Sequence, residues 1–71
     1  MRKNELTEFG KEVKLELLLR GETQEWLARQ VKDRSGKYVD SAYIYKILSG
    51  ERNAPEIKAH IRAVLDLPAP Q

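Results

Sequence analysis

The sequence predicts an all-α fold, a small domain of four helices, and three observations lead there. Apolar residues recur at helical spacing in four separate stretches. Each stretch is bounded by residues that start or stop helices: Thr23, Asp40 and Pro55 at openings, Gly21 and Ser49-Gly50 at closings. Strand-like character is confined to a brief extended piece near Tyr38-Val39. At 71 residues the chain has room for one domain spanning 1–71. A chain of that size buries only about 60% of its unfolded surface, so every apolar stripe counts.

The first helix is expected over about Asn4 to Leu19. Leu6, Phe9, Val13 and Leu17 form one face with Leu18 beside them, while Lys11, Glu12 and Lys14 point elsewhere. Gly21 accepts positive φ and suits a C-cap. Thr23 then suits an N-cap for a second helix of about two turns, Gln24 to Val31. Leu27 and Val31 face inward, Ala28 allows close approach of a neighbour, and Trp26 covers one flank of the small core. Residues 32–39, reading KDRSGKYV, are polar and marked by Gly and Ser, and are expected to form a loop.

Asp40 caps the third helix, Ser41 to Leu48, with Ile44, Ile47 and Leu48 inward and Ser41, Ala42, Tyr45 and Lys46 on the opposite side. Ser49-Gly50 closes it. Pro55 opens the fourth helix, where a missing N–H and fixed φ cost little, and Ile57, Ile61, Val64 and Leu65 supply its buried stripe. Pro68 and Pro70 leave 68–71 as a short tail.

Composition removes several function classes. The chain is 41% hydrophobic and 34% charged, a globular balance. Without cysteine there is neither a disulfide nor a thiolate zinc site, which fits a cytoplasmic location. No apolar run approaches the roughly 18 residues of a membrane span, and the amphipathic start is unlike a signal peptide, so no membrane role is expected. His60 is the sole histidine and reads as a boundary residue; Asp33 and Asp40 read as a loop residue and a cap. No glycine-rich phosphate cradle or metal-ligand spacing is present, so no enzyme activity, metal or cofactor is expected.

The net charge of +2 says little, but its distribution says more. Residues 29–52 carry six basic and three acidic side chains, against five and six in 1–28 and two and two in 53–71. A locally basic middle is where a phosphate backbone would be met. Two short helices also lie there, over about 23–50. In a helix-turn-helix the earlier helix crosses the DNA backbone and the later one enters the major groove.

Specific residues carry a resemblance. Thr23-Gln24-Glu25-Trp26-Leu27-Ala28 looks like the TQxxLA signature of the lambda repressor/Cro-like, or Xre-like, helix-turn-helix family. The stretch Tyr43 to Pro55 resembles that family's recognition helix, its following glycine and the proline opening the next helix, and Phe9 to Lys14 resembles its first-helix opening. The resemblance implies a lambda-repressor-like four-helix domain that binds double-stranded DNA in a sequence-specific way, as a dimer, in a transcriptional regulator of phage or mobile-element type. It implies base contacts from Ser41, Ala42, Tyr45 and Lys46. It implies phosphate contacts from Gln24, Tyr43, Arg52 and Asn53. The chain departs from the family by about six additional residues between the motif helices, centred on Asp33 to Tyr38, where Arg34 and Lys37 would extend the phosphate footprint. The rival reading is a protein-binding adaptor or antagonist on the same scaffold, with a regulatory protein partner meeting Tyr38, Tyr43, Tyr45 and Trp26.

Overall fold

The computed structural model describes residues 6–68 and holds four α-helices there: α1 Glu8–Arg20, α2 Gln24–Ser35, α3 Ser41–Leu48 and α4 Pro55–Leu65. They enclose one core. Val13 and Leu17 enter it from α1, Leu27, Ala28 and Val31 from α2, Ile44, Ile47 and Leu48 from α3, and Ile57, Ile61 and Leu65 from α4. Val39, in the connection before α3, joins them at 4% exposure. The Cα radius of gyration of 11.2 Å equals the roughly 11 Å expected of a compact chain this long.

The first three helices begin where a side chain replaces missing intrahelical bonds. Thr7 caps α1, its hydroxyl oxygen accepting from Gly10 N at 3.0 Å. The helix thus starts later than the periodicity suggests; Asn4, the expected start, lies outside the described residues. Thr23 caps α2 by accepting from Trp26 N, and Asp40 caps α3 by accepting from Tyr43 N. Pro55 opens α4 without a side-chain cap. Gly21, at φ 69°, ends α1 with N–H groups of Gly21 and Glu22 returned to Leu18 O and Leu17 O.

Two expectations are corrected. The second helix does not end near Val31: it continues to Ser35, absorbing most of the expected loop and leaving only 36–40 as the connection. Lys32 and Arg34 are good helix formers, and Gly36, at φ 73°, supplies the stop by donating to Lys32 O at 2.9 Å. Leu18 is not core but 76% exposed. It stands about 100° around the helix from Leu17, and α3 and α4 occupy the side that holds Gly10, Val13 and Leu17. Val64 is only partly buried at the edge of the α4 stripe, and Trp26 packs on the core's flank as expected.

The C-terminal ends of α1 and α4 are tied together by Arg20, which donates to Leu65 O at 2.9 Å and to Glu16 Oε2 at 2.7 Å. At the other end Phe9 lies under the cations of Arg62, 4.8 Å from the ring centre, and Lys58, 5.7 Å. Among the described residues no helix is long and apolar enough to cross a membrane.

Candidate nucleic-acid interface

α3 packs mainly on α2 and α1 through its Ile44, Ile47 and Leu48 face, and Ala42 and Lys46 stand exposed on the opposite side. At eight residues it is about 12 Å long. Ala42 and Lys46 are exposed on the outer face, and Ser41, Tyr45 and Ser49 are half-buried beside them. The spacing of Ser41, Ala42, Tyr45 and Lys46 makes one strip, with hydroxyl, apolar, phenolic and cationic groups in order, and Ser49 follows at its end. All four residues expected to meet bases therefore come together.

The residues expected to meet phosphate are divided. Gln24 is half-buried and its amide nitrogen donates to Ser41 O at 3.0 Å and to Ser41 Oγ at 3.2 Å. Both amide hydrogens are thereby engaged, and Gln24 Oε1 is buried with no partner. In this arrangement Gln24 fixes the start of α3 against the start of α2. A phosphate contact from it would require the amide to release Ser41.

Tyr43 is half-buried against the core, and the Arg52 guanidinium lies 5.5 Å from its ring centre. That contact, with Arg52 N donating to Lys46 O at 3.1 Å, holds the segment after Gly50 against α3. Asn53 is exposed on the same segment. Lys37 instead reaches α4, where its ammonium pairs with Glu56 Oε1 at 2.8 Å. The hydrogen bond and charge of Glu56 raise the Lys37 pKa above its ordinary value, and Lys37 lowers that of Glu56. Arg34 lies with Trp26, Gln30 and Asp33 in a shallow groove toward Ala63 and Val64 of α4, away from Ser41.

A second shallow groove holds two cations that sequence reasoning passed over. Glu25, Ala28, Arg29 and Lys32 of α2 face Val39, Asp40, Ser41 and Ala42 across it. Arg29 and Lys32, three apart on one helical face, are both exposed beside the start of α3. With α2 expected to stop near Val31, Lys32 fell in a loop and its phase with Arg29 was hidden. Lys32 also lies 5.8 Å from the Tyr38 ring centre, and Tyr38 donates to Asp40 Oδ2 at 3.2 Å. That hydrogen bond, then the Asp40 charge, raises the Tyr38 pKa.

The outer surface of α3 thus has donors of two kinds. Lys46 and Ser41 stand on the strip itself, and Arg29, Lys32 and Arg52 stand around it. Such a surface suits an extended polyanion whose interior edges offer hydrogen-bond acceptors. Among the described residues no group of three or more His, Asp or Glu stands together to hold a metal ion. The chain matches no protein-family model, no curated protein and no solved structure.

Proposed function

We propose that this chain binds double-stranded DNA sequence-specifically through α3, as a helix-turn-helix domain of lambda-repressor-like type in a transcriptional regulator of phage or mobile-element kind. The observation that carries this reading is the outer side of α3, where Ala42 and Lys46 are exposed next to the α2 cations Arg29 and Lys32. A major groove about 12 Å wide admits one helix and displays base edges to it. Lys46 donates to guanine O6 or N7, Ser41 donates or accepts, and the Ala42 methyl meets a thymine methyl. Arg29, Lys32 and Arg52 neutralise phosphates on either side and set the register, which carries no sequence information itself. Gln24 acts one step removed, by holding Ser41.

The adaptor reading is favoured by a different observation, the exposed leucines of α1, and the two are separable by experiment. Fluorescence titration of random and selected duplexes over a salt series tests the proposal. Three or four phosphate contacts predict that log K falls with log salt at a slope of roughly −3 to −4. Selection from randomised duplexes is expected to enrich one motif, and Lys46→Ala to relax it at one position. Absence of binding to every duplex at low salt rejects DNA and favours the adaptor.

A further inference from the structure

Lys32 shares a groove with a carboxylate and does not pair with it. The groove between α2 and α3 is lined by four charged residues, Glu25, Arg29, Lys32 and Asp40. On its own helix Lys32 has no carboxylate three or four residues away, since Ala28, Arg29, Ser35 and Gly36 hold those positions. Glu25 stands seven residues back, about 10 Å along the axis, and has Arg29 four residues ahead of it. Asp33 lines the other groove, with Trp26 and Arg34. Asp40 is therefore the carboxylate that faces Lys32 across the groove. Among the described residues the ion pairs join Lys11 to Glu8, Arg20 to Glu16 and Lys37 to Glu56, and Lys32 is in none of them.

Tyr38 stands between the two charges. Its hydroxyl donates to Asp40 Oδ2 at 3.2 Å, while Asp40 Oδ1 accepts from Tyr43 N at 2.8 Å. The Lys32 ammonium lies over the same ring, 5.8 Å from its centre. Both carboxylate oxygens are thus engaged, and the lysine rests on an aromatic face instead. Tyr38 is 76% exposed, yet the chain fixes it from both sides. Lys37 before it is bound to Glu56 of α4 at 2.8 Å, and Val39 after it is buried.

We propose that Tyr38 is a positioning residue that keeps Lys32 off Asp40 and so leaves the Lys32 charge free for phosphate. The role toward phosphate rests on the DNA reading; the placement of Lys32 does not. An exposed lysine–carboxylate pair and an exposed cation–ring contact are of similar strength, so removing ring and hydroxyl together is enough to move Lys32 onto Asp40.

Nuclear magnetic resonance of the chain alone tests the placement. The Lys32 Hε protons are expected upfield in the wild type through the Tyr38 ring current. Tyr38→Ala is expected to abolish that shift and to bring up a coupling across a hydrogen bond between Lys32 Nζ and Asp40 Cγ. Wild-type Lys32 protons indifferent to the ring, or a variant in which Lys32 stays clear of Asp40, overturn the proposal whether or not the chain binds DNA. Duplex titration tests the consequence. Tyr38→Ala is expected to weaken binding about two- to fivefold, the range set by an exposed ion pair that must first be broken. It is expected to have no effect once Asp40→Asn, which keeps an N-cap, or Lys32→Ala is in place. An equal loss in those backgrounds means that Tyr38 acts on its own, and overturns the positioning role. A wild type that binds no duplex rejects the DNA reading and with it the role toward phosphate, while the spectra still decide the placement.

Discussion

α3 is gripped differently at its two ends. At its C-terminal end the Leu48 carbonyl accepts from both Thr7 N, at 3.1 Å, and Thr7 Oγ1, at 2.9 Å. Gly10 presses against the same carbonyl so closely that a Cβ there would overlap it. At its N-terminal end α3 meets α2 across a shallow groove, held by one glutamine and lined by two cations. The closed end is tied to α1 by packing and hydrogen bonding, with Lys46 exposed on its outer side. The open end leaves charged and hydroxyl groups facing solvent, so the tight tie and the shallow groove lie at opposite ends of the same short helix.

The largest expected effect is at the closed end. Gly10→Ala must push α1 away from Leu48, a strain of about 3 kcal/mol that is offset by roughly 1 kcal/mol of helix propensity. A net loss near 2 kcal/mol lowers the melting temperature by about 10 °C in a domain this small, read by thermal circular dichroism. Thr7→Val removes the cap and the Leu48 hydrogen bond while keeping shape, with an expected loss of about 1–2 kcal/mol. If either variant melted like wild type, the two ends would not differ as described.

This division was half legible in the sequence. Four helices, the caps at Thr23 and Asp40, the Gly21 stop and the inward triad Ile44, Ile47 and Leu48 follow from local chemistry, and local chemistry is what a sequence displays. The Gly10 contact with Leu48 joins residues far apart in the chain, and nothing near Gly10 marks it. Thr7 was overlooked because periodicity carried the helix back to Asn4. The length of α2 was misjudged because Ser35-Gly36 was weighed as loop composition, whereas the glycine alone ends the helix. On the site, the α3 strip was legible from spacing; Arg29 and Lys32 were not, because their common face exists only if α2 runs past Lys32.

At the open end the proposed DNA reading gives smaller effects on folding and larger ones on binding. Gln24→Ala frees Ser41 but also removes the buried, unpartnered Oε1, so the two consequences oppose each other in stability. The expected melting shift is a few degrees at most, since 1 kcal/mol corresponds to about 4–8 °C here. Loss of the fixed Ser41 is expected to weaken duplex binding by roughly tenfold, or about 1.4 kcal/mol. Arg29→Ala and Lys32→Ala leave stability within about 0.5 kcal/mol. Each is expected to flatten the salt slope by about 0.9, equally for all sequences. Arg34→Ala, on the α4 side of α2, serves as the comparison. A salt-slope change as large as that of Arg29→Ala would show that both faces of α2 meet the backbone.

The smallest effect belongs to the Lys37–Glu56 pair, which ties the 36–40 connection to α4 and keeps Lys37 from serving the open end. Because the folded Glu56 pKa is lowered, its contribution is present above the unfolded carboxylate value and fades as pH falls through the folded one. The folded Lys37 pKa is raised, so its contribution is complete below the unfolded lysine value and fades as pH rises through the folded one. Both side chains are well exposed, at 57% and 63%, so solvent screening keeps the pair weak. Glu56→Gln is therefore expected to melt almost with the wild type between these limits, and to lack the slight acid-side loss of stability that the wild type shows. Its sharper consequence lies in binding. With its carboxylate partner gone, the Lys37 ammonium is released, and duplex affinity at low salt should rise slightly with a steeper salt slope. An unchanged slope would mean that Lys37 stands too far from the backbone even when free, and that the cations at the open end come from α2 alone.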